Sequence, residues 1–198
     1  MQEKGKRQLQ AEQTKDKLFY AADALLSEKK YEDITIRDII SKAGVSIGTF
    51  YHYFPTKLDV FYETYRVADH YFEDVVEPQL NTESVYESIL RFSDFYAHYS
   101  CDRTHPQLIN LLYNARNPHF NRNYEQGMTG VLARVIQRGK ASGEIRSEDS
   151  AIQIAEYLMV TMRGLVYHWA TMEQSYDLPQ RMAWYLPRLL KAYFPDSV

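Results

Sequence analysis

The sequence predicts an all-α chain of about nine helices, a small N-terminal helical domain followed by a larger helical one. Three observations lead there. Apolar residues recur at three- and four-residue spacing to the end of the chain, and no run keeps the alternating period of a strand. The 198 residues are 45% hydrophobic and 25% charged, the balance of an ordinary globule. Between residues 35 and 57, two short helical patterns hinge on one glycine.

The chain opens on a polar, charged stretch, read as a flexible arm over residues 1–12, and a first helix follows from Thr14 to Ser27. Thr35, with Asp38 three residues on, has the form of a capping box; Ile36, Ile39, Ile40 and Ala43 then lay an apolar face along a second helix. Gly44 is suited to end that helix in a left-handed conformation, Val45 to pin the turn, and Ser46 to cap a third helix. The third helix runs from about Ile47 to Phe54, with Phe50 and Phe54 inward, and stops at Pro55. Thr56 caps the next helix, whose first turn holds Lys57.

With Phe50 and Phe54 buried, the opposite face presents Ile47, Thr49, Tyr51, His52 and, in part, Tyr53. Gly48 lets the backbone approach a groove wall closely. Thr49 offers a hydroxyl and a methyl to base edges, while Tyr51, Tyr53, Lys57 and the free amides at Ser46 suit phosphate oxygens. Arg37 is within reach of a phosphate or a guanine edge. The spacing alone also fits a helical hairpin in an ordinary domain. Two exposed aromatics beside a glycine, on a helix barely two turns long, favour a face built for the major groove of DNA.

Residues 13 to 62 resemble the DNA-binding domain of the TetR family of bacterial transcription regulators. The likeness is carried by the Thr35, Arg37 and Ile39 pattern, by Ala43 to Phe54, and by Lys57 with Val60. It implies a three-helix helix-turn-helix domain, placed here at residues 13–60, and a ligand-binding and dimerisation domain over 61–198. It also implies DNA contacts at Thr35, Arg37, Ser46, Ile47, Gly48, Thr49, Tyr51, His52, Tyr53 and Lys57. Position 47 is often polar or basic in such proteins; Ile47 cannot hydrogen-bond a base, which leaves it a thymine methyl or nothing.

Net charge is −3, but residues 1–60 hold 10 Lys and Arg against 9 Asp and Glu, so the remainder carries the acidic excess. Phosphate binding depends on charge within about 8 Å, and Lys4, Lys6, Arg7, Lys15, Arg37, Lys42 and Lys57 can form a basic face. No apolar run is long enough to span a membrane and no signal peptide opens the chain. The single cysteine, Cys101, fits a reducing cytoplasm.

In the larger domain, Leu58 to Phe72 mark a helix stopped near Pro78, and Val85 to Tyr99 mark the next. His105-Pro106 breaks that helix before a short one through Leu112. Asn117-Pro118 opens a long helix, with Tyr124, Met128, Val131 and Val135 on one face, that ends near Ser142-Gly143. The last two helices, about 150–171 and 179–194, are apolar on more than one side. Ile152, Ile154, Ala155, Leu158, Met159, Met162, Leu165, Val166 and Trp169 span too wide an arc for one surface, as do Met182, Ala183, Tyr185, Leu186, Leu189, Leu190 and Tyr193. A helix apolar nearly all round is buried on both sides, so these two are read as the interface of a homodimer.

Seventeen tyrosines are many for this length. Tyr65, Phe92, Tyr96, Tyr99 and Tyr113, with Tyr124, Met128, Tyr157, Met162 and Trp169, are read as lining a pocket for a mid-sized apolar or aromatic effector. The same stripe also fits a plain core. Arg103, Arg116 or Arg163 would suit an effector carboxylate. His98, Cys101 and His105 share a helical face, but with no fourth ligand nearby neither a metal nor a cofactor is expected. No phosphate loop, nucleophile elbow or paired carboxylates point to an enzyme. The expectation is a cytoplasmic, ligand-responsive regulator, a repressor that binds a near-palindromic operator as a dimer. The alternative is a constitutive repressor without ligand response.

Overall fold

A computed structural model describes residues 2–81, 84–113 and 126–194. The described residues are all helical where regular: α1 Gln2–Leu26, α2 Ile36–Ala43, α3 Ile47–Tyr53, α4 Lys57–Tyr71, α5 Val85–Asp102, α6 Pro106–Leu112, α7 Gly127–Ser142, α8 Ala151–Thr171 and α9 Leu178–Leu190. A 3₁₀ turn, Tyr31–Asp33, precedes α2; a π-helical turn, Phe72–Val76, and a second 3₁₀ turn, Glu77–Leu80, follow α4. The chain forms two compact units, one of Met1–Arg66 with His105–Leu112, the other of Val67–Thr104 with Tyr113–Val198.

Two details of the first unit differ from the sequence reading. Residues 2–12, read as an arm, have helical backbone as the start of α1. The unit extends beyond residue 60 to Arg66 and takes in His105–Leu112, the segment that holds α6. Its buried side chains include Leu18, Phe19, Leu25, Ile34, Ile39, Phe50, Phe54, Val60 and Phe61. Arg66 bonds Asp16 of α1 and, at 2.6 Å, Glu63 of its own helix, so charge as well as apolar burial joins α1 to α4.

In the second unit α7 packs on α8, and α5 on α7 and α9. The entry of α7 is held by two carboxylates, with Gly127 N–H donating to Glu73 Oε1 at 2.8 Å and Met128 N–H to Asp69 Oδ1 at 3.0 Å. Only glycine fits there, because φ is +65° and a Cβ would lie 2.3 Å from Asp69 Oδ1. The helix start read at Asn117-Pro118 lies outside the described residues. Ser150 and Gln153 form a capping box on α8, and Asp177 caps α9. The turn between them passes through Glu173 and Gln174, both left-handed at φ 52° and 59°.

Burial assigns the residues of the last two helices to one side or the other. Ile154, Ala155, Leu158, Met159, Met162, Leu165, Val166 and Trp169 are buried within the chain, as are Met182, Leu186 and Leu190. The large apolar residues exposed on these helices are Tyr157, Val160 and Tyr167 on α8 and Trp184 on α9, and Ala183 is exposed beside the last. On α8, Tyr157, Val160, Gly164 and Tyr167 follow a three- and four-residue step, which makes an outward stripe opposite the buried one. Both sides of α8 are therefore apolar.

Candidate nucleic-acid interface

The helix-turn-helix is built by capping chemistry. Thr35 Oγ1 accepts the Asp38 N–H at 3.2 Å while Asp38 Oδ2 accepts the Thr35 N–H at 2.8 Å, a complete capping box. Lys29 lies 2.8 Å from the same carboxylate, and this pairing, with the Thr35 bonds, holds Asp38 well below the usual carboxylate range. Gly44 ends α2 at φ 67°, ψ 37°, and its N–H donates to the Ile40 carbonyl. Ser46 then caps α3 by accepting the Thr49 N–H at 3.1 Å. Phe54 is extended before Pro55, and Thr56 and Asp59 repeat the reciprocal capping at α4.

These turns present the faces that the sequence predicts. Phe50 and Phe54 are buried at 0% and 3% exposure, whereas Ile47 and Tyr51 are 51% and 54% exposed. Ser46, Gly48 and His52 are also exposed, Thr49 and Tyr53 half-buried. Thr35 and Arg37 are exposed at the start of α2. Tyr51 packs edge-on against Phe50, with ring centroids 5.6 Å apart, and His52 edge-on against Tyr53 at 4.7 Å, so the outer aromatics are braced by their neighbours.

Lys57, expected to meet a phosphate, is engaged within the chain. Its ammonium points inward, donating to the Tyr31 carbonyl at 2.7 Å and the Ile34 carbonyl at 2.8 Å, and lies 4.0 Å from the Tyr31 ring centroid. Burial pushes its pKa down, opposed by Glu32 and Asp33. The expected basic face is also reduced elsewhere, because Lys42 pairs with Glu28 at 2.7 Å and Lys15 with Glu63 at 3.6 Å. The side chains of Lys4, Lys6 and Arg7 lie outside the described residues.

In the second unit the aromatic set divides. Phe92, Tyr96 and Tyr99 are buried around Phe72, with ring centroids 5.1, 6.3 and 5.9 Å from it. Met162 and Trp169 are buried too, and Tyr113 and Met128 are half-buried; Tyr65, half-buried, belongs to the first unit. Tyr157 faces outward at 47% exposure. Tyr124 and Arg116 lie outside the described residues. Burial pushes the Tyr96 phenol up; Arg163 and hydrogen bonds to Tyr113 and Arg163 oppose it. Arg103 stacks 4.7 Å from the Tyr71 ring centroid.

His98, Cys101 and His105 do not gather. His98 Nδ1 lies 3.3 Å from Asp94 Oδ1, and His105 belongs to the other unit, where its Nδ1 accepts the Gln107 N–H at 3.2 Å. Burial, then Asp102 and Asp177, pushes the Cys101 thiol up to about 11. Among the described residues no group of three or more His, Cys, Asp and Glu could hold a metal ion, and no helix is long and apolar enough to cross a membrane.

Sequence reasoning missed Gln107. Its Oε1 accepts the Tyr31 N–H at 3.0 Å, and its Nε2 donates to the Leu26 carbonyl at 3.0 Å. Its one sequence signal is a polar residue in the first turn of a two-turn helix that is apolar elsewhere except at Asn110.

Residues 18–64 match the family model described as bacterial regulatory proteins, tetR family. The chain is 25% identical over 189 residues to the HTH-type transcriptional regulator TtgR of Pseudomonas putida, covering 85% of this chain and 86% of that protein. To the HTH-type transcriptional regulator CymR of Pseudomonas putida it is 44% identical over 63 residues, 30% of this chain and 31% of that one. The crystal structure of the transcriptional regulator FadR from Bacillus subtilis, in complex with stearoyl-CoA, superposes with a TM-score of 0.70 at 21% identity, covering 87% of this chain and 96% of that one. The helix-turn-helix built by these caps and the sequence match over it agree: residues 18–64 form a DNA-binding domain similar to that of the tetR family of bacterial regulatory proteins.

Proposed function

We propose that the chain is a ligand-responsive repressor that binds a near-palindromic operator as a homodimer. The observation that carries the DNA half of this reading is Gly48. A Cβ there would meet nothing in the chain closer than Ser46 Oγ at 3.7 Å, an ordinary contact. Glycine in a helix costs up to about 1 kcal/mol relative to alanine, and nothing inside the protein asks for it. A groove wall brought against the backbone does. Around Gly48, Thr49 reads base edges, Ile47 and the Thr49 methyl suit a thymine methyl, and Arg37 takes a phosphate or a guanine edge. Thr35, Ser46, Tyr51, His52 and Tyr53 hold the sugar-phosphate strands. Lys57 stands apart because its ammonium is already engaged.

The dimer reading rests on the stripe Tyr157, Val160, Gly164 and Tyr167 on α8, with Trp184 on α9. A Cβ on Gly164 would meet nothing within 4 Å, so a second copy of the helix can approach closely there. Two copies of α8 and α9 then form a four-helix bundle, and its two-fold axis sets the recognition helices in successive major grooves, about 34 Å apart. A mid-sized, mostly apolar or aromatic effector in the second unit shifts that spacing. A coupling of about 1–3 kcal/mol changes operator affinity roughly 5- to 150-fold. The α4 helix, whose residues fall in both units, is the covalent lever.

Binding to a random duplex pool tests the first half: the enriched sequences should be inverted repeats, and enrichment of nothing, or of sequences without symmetry, overturns it. A compound that raises the melting temperature but leaves affinity for the enriched duplex unchanged overturns the second half. The packing of Phe92, Tyr96 and Tyr99 on Phe72 favours one competing reading, a constitutive repressor with a filled core. A thermal-shift screen in which no apolar or aromatic compound raises the melting temperature would select it.

A further inference from the structure

The backbone of Tyr31 is gripped by two side chains remote from it in sequence. Its N–H donates to Gln107 Oε1 at 3.0 Å, and its carbonyl accepts from Lys57 Nζ at 2.7 Å. The same ammonium donates to the Ile34 carbonyl at 2.8 Å and lies over the Tyr31 ring, which rests edge-on against Phe61 with centroids 5.4 Å apart. Gln107 Nε2 reaches back to the carbonyls of Leu26 and Lys29, at 3.0 and 3.4 Å. One lysine and one glutamine therefore tie down the 3₁₀ turn and the end of α1.

Helix and turn ends leave carbonyls without intrahelical partners, and a fixed side-chain donor both satisfies and locates them. The located segment is adjacent to the reading surface. Ile34 precedes Thr35, the N-cap of α2, and Arg37 lies in the first turn of that helix. The position of the turn thus sets where α2 begins. To reach a phosphate, the Lys57 ammonium would have to leave two carbonyls and an aromatic face.

We infer that Lys57 and Gln107 are positioning residues for DNA binding, holding the Tyr31–Ile34 turn so that Thr35 and Arg37 meet the duplex, and that the Lys57 ammonium is not itself a phosphate contact. The inference rests on the DNA-reading face proposed above.

The test uses the full chain and a duplex that it enriches from a random pool, with affinity measured from about 50 to about 300 mM KCl. Lys57→Met and Gln107→Leu should each weaken binding by about tenfold or more while the slope of log affinity against log salt stays that of the unaltered chain. Lys57→Arg, which keeps the charge, should not restore affinity. Gln107→Glu, which keeps the acceptor for the Tyr31 N–H, should recover part of the loss. Hydrogen exchange at the Tyr31 amide should quicken in Gln107→Leu. A slope flattened by about 0.9 in Lys57→Met overturns the inference, since that is the signature of one lost phosphate contact. So does full affinity in Lys57→Arg, or in a Gln107→Leu protein whose Tyr31 amide has lost protection. Should Lys57→Met melt below the assay temperature, Lys57→Arg decides. If the unaltered chain enriches no duplex, the DNA-reading face itself fails; if it does and the slope flattens, only this inference fails.

Discussion

The hydroxyls of Ser46 and Thr49 lie 2.8 Å apart, and the Ser46 oxygen also accepts the Thr49 N–H at 3.1 Å. The cap of α3 thus fixes one hydrogen-bonding role of the Thr49 hydroxyl, leaving its methyl and one further role for a base edge. Thr49→Val should therefore change base preference at one operator position by about 1–3 kcal/mol, measured by competition between single-base variants of an enriched duplex. Ser46→Ala should instead cost about 1 kcal/mol of stability in urea unfolding. Unaltered preference in Thr49→Val would take Thr49 off the reading face.

Gly48→Ala separates folding from binding. The added methyl meets only Ser46 Oγ at 3.7 Å, so thermal unfolding should be unchanged or shifted upward, consistent with a helix gain of up to about 1 kcal/mol. Affinity for the enriched duplex should fall at least about tenfold as the backbone is held off the groove. Retained affinity would mean that α3 does not approach a wall there.

Asp38 gives the first unit an acid limit. Its carboxyl is held below its ordinary range by Lys29 and Thr35, so the folded state favours the carboxylate. That contribution is complete above the ordinary carboxylate value of about 4 and is lost as pH falls below it toward the depressed folded value. Unfolding free energy measured from about pH 2 to 7 should fall more gently on the acid side in Asp38→Asn than in the unaltered chain. Parallel curves would assign the acid limit elsewhere.

The dimer proposed on the α8 stripe has a direct test. Val160 is 58% exposed, so Val160→Glu should leave the monomer folded while shifting sedimentation toward half the mass. Gly164→Leu should do the same by blocking close helix approach. Both variants sedimenting as the unaltered chain does would exclude this face from the interface.

Cys101 should behave as an inert thiol. With burial pushing it up to about 11, alkylation by iodoacetamide near pH 8 should run at least about a hundredfold slower than in urea. Comparable rates would show that the thiol is not held in its neutral form.

Much of this was legible where chemistry is local. Caps depend on three-residue spacing, so Thr35 with Asp38, Ser46, and Gly44 could be read directly, as could the burial of Phe50 and Phe54. Tyr157 was misread because an aromatic on an apolar helix looks equally suited to either side. Its step to Val160, Gly164 and Tyr167 carried the answer, since that row excludes Leu158, Met162 and Trp169. Lys57 and Gln107 were hidden for another reason: their partners, Tyr31 and Leu26, lie 26 and 81 residues away, and no periodicity encodes a side chain reaching a remote carbonyl.

The sequestration of α6 by the first unit makes the DNA-reading half discontinuous in the gene. A fragment ending at Arg66 would leave the Leu26 carbonyl and the Tyr31 amide without their peg, though every residue of the helix-turn-helix were present. Chimaeras that swap reading heads between regulators of this kind need to transplant residues 105–112 along with 1–66, or the grafted head inherits a loosened hinge.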